Sequence, residues 1–365
     1  MLKLIPMLNQ RIEKLRKILK EKNLNGFLIS NYYNILYLTG FKTLTADERE
    51  AWGLVTKQNV YLFTDSRYAV DNKFLILKLI TPEKGLTKHL QKIVVEEKIQ
   101  RLGFEGDDLK VNELQRIKDY LKKVEFVSLE KLIIKIREIK DTEEINNIRT
   151  ACQIADQCLK DILQLIEVGR TEKEIAFKIE FWLKEKKQDL SFYPIVAIDK
   201  NSAVPHYDTR NGNNEKVKEN SIILIDFGAK YQDYHSDMTR MIFVGKPTDE
   251  IINTYNKLFE SQTKTLQYLA SSNLRGCMGK QIDQFCRQQL TYSHSTGHGV
   301  GLQIHEFPKI SFTSTDVLLP NQVVTIEPGV YFNDKWGMRI EDTVLIKENK
   351  KIEVLTKFDK KLLII

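Results

Sequence analysis

The chain has 365 residues, a net charge of +7 at neutral pH and 42% hydrophobic residues. This length exceeds the usual size of one hydrophobic core, so we expect two domains. No run of about 18 apolar residues occurs and the amino terminus lacks the apolar segment of a signal peptide, which predicts a cytoplasmic protein with no membrane partner. The lysines are scattered and are not interleaved with aromatic residues, which predicts a solvated surface and no nucleic-acid partner.

Residues 1–131 predict a mixed α/β domain. An amphipathic helical pattern over residues 11–22 precedes the apolar run 26–30, which is typical of a buried strand. Further strands are predicted at 36–41, 52–55, 60–64, 74–80, 101–105 and 124–127, and further helices at 86–97 and 112–123. Helices that alternate with short apolar strands are typical of an α/β layer arrangement.

Residues 132–365 predict a second domain of the α+β class. Asp141 is a candidate N-cap for a helix that runs to about Val168, where Gly169 ends it. Thr171 and Glu174 have the spacing of a capping box, which predicts a helix to about residue 187. Two further helices are predicted, one after Glu250 to about residue 271 and one over residues 278–290. We expect these helices to cover a mainly antiparallel sheet.

The four cysteines of the chain predict reduced structural thiols. They show no paired CxxC spacing and none adjoins a histidine. They are Cys152, Cys158, Cys277 and Cys286.

Between residues 222 and 343, five residues of metal-binding type have spacings that regular secondary structure can bring together. Asp226 closes the apolar run 222–225 and Asp237 opens the run 238–244, so a hairpin would set their carboxylates side by side. Glu327 follows the β-branched run 323–326 and Glu341 lies in a second such run, which predicts another strand pair. Together with His298, these carboxylates form an oxygen-rich ligand set that suits Mn, Co or Zn in a two-metal hydrolytic site.

Five of the six histidines lie between residues 206 and 305. His298 and His305 are seven residues apart in a glycine-rich segment, where the chain can bend and approach other groups closely. One imidazole could then bind metal while the other faces a substrate. Each of these side chains alone is more often an ordinary core or surface residue, and only their joint pattern indicates a site.

Several motifs together resemble those of the pita-bread metallopeptidases of family M24, and in particular the Xaa-Pro aminopeptidases and prolidases. The resemblance covers nearly the whole chain, and residues 34–41 resemble the creatinase-type amino-terminal domain that accompanies this fold. The motifs are Asp226-Phe227-Gly228-Ala229, Ser236-Asp237-Met238-Thr239-Arg240, the run from His294 to Leu302, His305-Glu306-Phe307-Pro308, the run from Thr325 to Tyr331, and Arg339-Ile340-Glu341-Asp342.

The resemblance implies a role for each candidate residue. Asp226 would bind one metal ion, His298 and Glu327 the other, and Asp237 and Glu341 both. His206 and His305 would serve substrate binding and proton transfer. Glu327 would also accept the proton of the attacking water, and Arg339 would support the bridged centre.

Two segments depart from the pattern of the family. Relatives usually have a glycine after Val196-Ala197, whereas this chain has Ile198-Asp199-Lys200, so the loop that leads to His206 is expected to differ in shape. The connection over residues 288–293 is also shorter than usual. Both departures concern the rim of the pocket and leave the predicted metal ligands unchanged.

The resemblance therefore implies an Xaa-Pro aminopeptidase that acts on peptides with proline at the second position and uses two divalent ions, Mn or Co in the first place and Zn as the alternative. The resemblance also implies a homodimer. A prolidase that acts on Xaa-Pro dipeptides alone is the alternative within the class. A metal-free peptide-binding module is the alternative from another class, and the retention of all five ligands argues against it. A methionine aminopeptidase would lack such a first domain, and a creatine amidinohydrolase would have lost the ligands.

Overall fold

The computed structural model describes residues 4–70, 75–81, 83–271, 277–288, 290–348 and 351–365. The chain forms two compact units, Met1–Arg137 and Glu138–Ile365. The boundary predicted after residue 131 falls just before the helix Leu132–Glu138, and the units divide near the end of that helix. Parts of two predicted elements, residue 74 of a strand and residue 289 of a helix, lie outside the described residues. Among the residues described, no helix is both long and apolar enough to cross a bilayer.

The first unit contains a six-stranded mixed sheet flanked by helices. Its sheet has the strand order β4-β3-β2-β1-β5-β6, in which β1 runs antiparallel to β2 and parallel to β5. The elements in chain order are α1 (Leu4–Glu21), β1 (Gly26–Ile29), α2 (Tyr32–Thr39), β2 (Ala51–Thr56), β3 (Val60–Thr64), β4 (Ile76–Leu79), α3 (Leu86–Glu96), β5 (Arg101–Glu105), α4 (Val111–Tyr120), β6 (Glu125–Leu129) and α5 (Leu132–Glu138). The predicted α/β class of this part is confirmed.

The strand predicted at residues 36–41 is wrong, because this segment belongs to helix α2. The Asn31 side chain accepts a hydrogen bond from the Asn34 backbone N–H at the start of the helix. Gly40 ends it in the left-handed conformation, with φ of 70°, and donates its N–H to the carbonyl of Leu36. The helix is buried over most of its surface, so its sequence lacks the polar stripe that distinguishes a surface helix from an apolar strand.

In the part of the second unit that the structure describes, four α-helices combine with several mainly antiparallel sheets. Its elements in chain order are α6 (Thr142–Leu163), α7 (Glu172–Glu185), β7 (Asp189–Leu190), β8 (Ile195–Ile198), a 3₁₀ helix (Asp199–Ala203), β9 (Ile222–Phe227), β10 (Ala229–Tyr231), β11 (Tyr234–His235), β12 (Met238–Phe243), α8 (Asp249–Ser271), α9 (Gly279–Arg287), β13 (Gly297–Gly299), β14 (Glu306–Ile310), β15 (Val323–Ile326), β16 (Gly329–Phe332), β17 (Trp336–Arg339), β18 (Asp342–Ile346), β19 (Ile352–Val354) and β20 (Leu363–Ile364). The predicted α+β class is confirmed.

Two of these sheets carry the candidate site. One has the strand order β20-β12-β9-β8 and the other β14-β13-β15-β18-β19. Helices α6 and α7 pack on the first sheet through a fully buried apolar cluster that includes Leu159, Ile179 and Ile225. Helices α8 and α9 contribute Leu269 and Ile282 to the cluster that covers the second sheet. Burial of these apolar faces supplies the main stabilisation of the unit.

The starts of α6 and α7 follow the predicted capping chemistry. The Asp141 carboxylate accepts the Glu144 N–H at 3.0 Å, and the Thr171 hydroxyl accepts the Glu174 N–H at 3.2 Å. Helix α6 ends at Leu163 and does not reach Val168 as predicted. After the helix the Leu165 and Ile166 N–H groups donate to carbonyls three residues back, and Gly169, with φ of 95°, donates its N–H to the carbonyl of Val217 at 2.8 Å.

Candidate metal centre

Two β-hairpins bring four carboxylates together in the second unit. Asp226 lies in β9 opposite Thr239 of β12, and Asp237 immediately precedes β12. Glu327 follows β15, and Glu341 immediately precedes β18, the antiparallel partner of β15. The Glu341 backbone N–H donates to the Thr239 carbonyl at 3.3 Å and so links the second hairpin to the first. The predicted pairing of these strands is confirmed.

The second hairpin is interrupted where its two glutamates lie. Its outer part is formed by β16 and β17, and its inner part by β15 and β18. At the interruption, the Ile340 N–H donates to the Pro328 carbonyl at 3.2 Å. Side chains alternate along an extended strand, so Arg339 and Glu341 face the candidate site whereas Met338 and Ile340 enter the core.

His298 reaches the carboxylates from β13. Its neighbours must be glycines, since a Cβ at Gly297 would lie 2.0 Å from the Thr325 carbonyl oxygen and a Cβ at Gly299 would lie 2.2 Å from that of Phe307. The imidazole Nδ1 contacts the Gly299 carbonyl at 3.0 Å. This contact directs Nε2 towards the carboxylates, 3.6 Å from Asp237 Oδ2 and 3.4 Å from Glu327 Oε1.

The arrangement of these side chains fits bound divalent cations. One ligand atom each from Asp237, His298 and Glu341 lie within 4.8 Å of one another. The Oδ1 atoms of Asp226 and Asp237 are buried and have no hydrogen-bond partner in the part of the chain that the structure describes. Buried carboxylate oxygens without a donor are costly unless a cation binds them.

The pKa shifts of the acidic groups have the same cause. Burial, together with the carboxylates of Glu341 and Asp226, raises the pKa of Asp237 well above its usual range. Burial and the nearby Glu327 raise the pKa of Glu341 in the same way, and burial raises the pKa of Glu327 to about 7. A divalent cation among these groups would offset their repulsion and favour the ionised forms.

Arg339 connects the carboxylates with the rest of the site. Its Nη2 donates to Asp226 Oδ2 at 2.5 Å. Its Nε donates to the Thr239 hydroxyl at 3.0 Å, and that hydroxyl donates to Glu341 Oε2 at 2.7 Å. Its Nη1 donates to the Tyr331 hydroxyl at 2.9 Å. One guanidinium therefore supports Asp226 directly and Glu341 through the Thr239 hydroxyl.

A cavity of about 770 Å³ lies over the centre. All eight residues that the sequence singled out line it: His206, Asp226, Asp237, His298, His305, Glu327, Arg339 and Glu341. The His305 ring lies 4.4 Å from that of His298, with an angle of 77° between the planes. Burial and the neighbouring His298 lower the pKa of His305 to about 4, so its imidazole is neutral near pH 7 and keeps one N–H donor.

Sequence reasoning did not assign His294 to the site. Its Nε2 lies 2.9 Å from the Tyr331 hydroxyl, and its Nδ1 lies 3.8 Å from Glu327 Oε2. The Arg287 guanidinium donates to the His294 carbonyl at 2.5 Å and so holds the short connection after α9. Burial and the nearby Arg339 lower the pKa of His294 to about 4. Its place four residues before His298 was the available signal.

The loop that leads to His206 takes a conformation that glycine usually adopts. Asp199 stands at the start of this loop with φ of 51°. Its carboxylate accepts the Ile222 N–H at 2.9 Å and the Ser221 hydroxyl at 3.1 Å. Aspartate tolerates the left-handed region better than most residues and gains these hydrogen bonds there.

Two family models match the chain. Residues 146–348 match "Metallopeptidase family M24", and residues 11–139 match "Creatinase/Prolidase N-terminal domain". A curated relative, the Xaa-Pro dipeptidase of Pyrococcus furiosus, is 31% identical, with 98% of this chain and 100% of the relative covered.

Solved structures of relatives have the same two-domain architecture. The Xaa-Pro dipeptidase from Bacillus anthracis is 32% identical with a TM-score of 0.87, and the match covers 98% of this chain and 100% of that structure. The X-Pro aminopeptidase from Thermotoga maritima is 30% identical with a TM-score of 0.84, over 94% of this chain and 98% of that structure. The chain, with its creatinase-type first unit and its pita-bread second unit, belongs to metallopeptidase family M24.

Proposed function

We propose that the protein is an aminopeptidase that hydrolyses the amino-terminal Xaa-Pro bond of peptides with two bound divalent ions. The observation that carries this proposal is the convergence of four carboxylates and His298 beneath a cavity that His206 and His305 also line. The relatives named dipeptidase and aminopeptidase support the Xaa-Pro class, and they leave open which of the two activities this chain has.

Five residues would hold the two ions. Asp226 would bind one, His298 and Glu327 the other, and Asp237 and Glu341 both. The oxygen-rich donor set suits Mn, Co or Zn, and the family resemblance favours Mn or Co. When bound, such ions supply an activated water near neutral pH and polarise the peptide carbonyl.

The side chains around the ligands would handle the proton and the developing charge. Glu327 Oε would accept the proton of the attacking water. His305 and His206 would donate N–H hydrogen bonds to the oxygen on which negative charge develops. The proton that Glu327 takes from the water would then go to the leaving nitrogen of proline.

The cavity walls suit a substrate with a proline ring. Phe192, Ile195, Phe307 and Phe312 line the cavity together with the polar groups. A bond that precedes proline lacks the N–H that other peptidases bind, so recognition has to come from the shape and apolar character of the pocket.

Prolidase activity is the second candidate, and Lys309 favours it. This residue lines the same cavity, its side chain is exposed, and it forms no ion pair with the described residues. Its ammonium lies 5.6 Å from the centre of the Phe307 ring. A free ammonium in the pocket could bind the carboxylate that a dipeptide presents on its proline, whereas a longer peptide has an amide there.

A substrate series with one variant separates the two activities. We expect the wild-type chain to cleave Xaa-Pro-Xaa tripeptides at least as efficiently as Xaa-Pro dipeptides, and to leave Xaa-Ala peptides intact. Lys309→Met should then change tripeptide cleavage little. Cleavage of dipeptides alone, with a KM that rises about 10-fold or more in Lys309→Met, would assign the chain as a prolidase.

A metal-free binding module is tested by metal analysis of the purified chain. We expect about two equivalents of metal per chain after reconstitution with Mn or Co, and loss of activity when a chelator removes them. A chain that binds Xaa-Pro peptides without metal and without turnover would support the binding module.

We further propose that the protein is a cytoplasmic homodimer. Its four cysteines are buried and form no disulfide with one another, which is typical of a reducing compartment. The homodimer is proposed from the family resemblance. Sedimentation at micromolar concentration should show about twice the chain mass of 42.6 kDa, and a species of the single-chain mass alone would contradict it.

A further inference from the structure

A buried carboxylate outside the candidate metal centre organises the segment that carries His206. Glu172 is the first residue of α7 and is 0% exposed. It forms no ion pair with the residues that the structure describes. Its Oε1 accepts the Ile198 N–H at 2.7 Å and the Asn201 side-chain amide at 2.9 Å.

The second oxygen of this carboxylate binds the far end of the same segment. Glu172 Oε2 accepts the Tyr207 hydroxyl at 2.8 Å and the Glu215 backbone N–H at 3.0 Å. Burial and the bond to Glu172 raise the pKa of Tyr207 to about 12, so the hydroxyl keeps its proton. Four donors from residues 198–215, which we call the His206 segment, thus converge on one side chain.

His206 lies between two residues of this segment that form hydrogen bonds. The residue is exposed, and none of the hydrogen bonds formed by the described residues involves its imidazole. Its two neighbours in the chain, Pro205 and Tyr207, are fixed by hydrogen bonds instead. Arg339 Nη1 donates to the Pro205 carbonyl at 3.2 Å, and Tyr207 donates to Glu172. The Ser202 hydroxyl also accepts the Gly337 N–H at 2.8 Å, which links the segment to β17.

Capping of helix α7 does not account for Glu172. The exposed pair Thr171 and Glu174 already forms the capping box at this helix end. A buried carboxylate without a cation loses several kcal/mol of hydration. Four directed hydrogen bonds offset that cost, and all four come from the His206 segment, including both of its ends.

We propose that Glu172 is a positioning residue that sets the His206 imidazole over the candidate metal centre. This inference rests on the proposed function, because it assigns His206 a part in turnover. Glu172 contacts none of the five proposed metal ligands by hydrogen bonding, so its effect is separable from metal binding.

Glu172→Gln tests the inference with little change in volume. Its NH₂ group would face two donors, either the Ile198 N–H with Asn201 or the Tyr207 hydroxyl with the Glu215 N–H, so the segment has to shift. We expect kcat for an Xaa-Pro peptide to fall about 10- to 100-fold, since small misplacements of a reacting group have effects of that size. KM should change less than kcat, metal content should match the wild type, and hydrogen exchange of residues 198–215 should accelerate.

Two further variants separate positioning from general destabilisation. Glu174→Ala removes a carboxylate and two hydrogen bonds from the same helix turn and has no contact with the His206 segment, so it should leave kcat unchanged. In a His206→Ala background, Glu172→Gln should cause no further loss of kcat, because the two residues act through one imidazole.

The outcomes distinguish the two proposals. The positioning role is overturned if the losses of kcat in Glu172→Gln and His206→Ala add fully in the double variant. It is also overturned if Glu172→Gln has the kcat and the hydrogen-exchange rates of the wild type. In both cases the proposed function stands. Loss of metal from Glu172→Gln likewise overturns the positioning role. A wild-type chain that cleaves no Xaa-Pro peptide overturns the proposed function and this inference together.

Discussion

Asp237 and His305 line the same cavity but have different surroundings. Asp237 is buried among three other carboxylates, and one of its oxygens lacks a partner in the described part of the chain. His305 is exposed to the cavity, with its ring against His298. The first residue is therefore suited to holding a cation and the second to contacting substrate.

Substitution of these two residues should separate metal binding from catalysis. Asp237→Ala removes a negative charge that both ions would share, so we expect metal content and activity to fall together. His305→Ala should keep its metal and lose about 100-fold in kcat, the effect of deleting a single oxyanion donor. Metal analysis and steady-state kinetics measure both. Loss of metal from His305→Ala, with Asp237→Ala still loaded and active, would reverse the assignment.

The same contrast explains which site residues the sequence could reveal. Asp226, Asp237 and Glu341 stand next to apolar runs, so local patterns place them at strand ends before any tertiary structure is known. His294 has no such local marker. Its position depends on Arg287 of α9 and on the Tyr331 hydroxyl of β16, which is 37 residues further along the chain, and periodicity cannot encode such contacts.

At the scale of elements, prediction succeeded where an element had its own boundary signals. The capping residues of α7 and the apolar run of β9 are local, and both elements form as expected. Helix α2 is short, and six of its eight residues are buried. Its sequence therefore shows neither the 3.6-residue period of an amphipathic helix nor the two-residue period of a half-buried strand. Its type is decided by the Asn31 cap and by packing.

The carboxyl-terminal segment supports the sheet that carries Asp226. Strand β20 pairs with β12, and Lys360, just before β20, contacts Asp342 Oδ2 at 2.6 Å. Asp342 is fully buried and also contacts Arg240 at 2.8 Å. Arg240 donates in turn to the Glu341 carbonyl at 2.5 Å. Burial raises the pKa of Asp342, but the positive charges of Arg240 and Lys360 outweigh burial and lower the pKa to about 2.

Removal of the Lys360 charge should therefore weaken this part of the fold. In Lys360→Met, Asp342 keeps Arg240 but loses one charge-assisted hydrogen bond, so we expect the free energy of unfolding to fall by about 2 kcal/mol. Urea unfolding measures this loss. The neighbouring exposed Lys361 provides the control, since Lys361→Met should change stability by less than about 0.5 kcal/mol. Equal effects of the two variants would show that the buried contact contributes nothing.

At the scale of the whole molecule, each unit has its own buried core. That of the first unit includes Leu54, Phe63 and Leu102. Beside it lies Glu105, which is 3% exposed and accepts the backbone N–H groups of Ser30 and Asn31, each at 2.7 Å. Burial raises the pKa of Glu105 from 4.5 to about 7.

The stability of the first unit should accordingly fall as pH rises from about 4.5 to 7. Across that window the folded unit retains a proton that the unfolded chain releases, so deprotonation of Glu105 disfavours folding by up to about 3 kcal/mol. Glu105→Gln removes this titration. Hydrogen exchange of residues 26–41, corrected for the intrinsic exchange rate, measures the opening free energy of this segment. Between pH 4.5 and 7 this free energy should fall less in the variant than in the wild type. The same pH dependence in both chains would contradict the prediction.

The interrupted hairpin, whose outer part is formed by β16 and β17, determines where the chain can change in length. Between Gly337 and Glu341 the side chains alternate between core and cavity, so one inserted or deleted codon there would exchange Arg339 and Glu341 for Met338 and Ile340. Residues 333–335, at the tip, lie beyond the paired positions Phe332 and Trp336. A length change at the tip leaves that alternation intact, so the tip can vary in length or accept an inserted peptide tag where its base cannot.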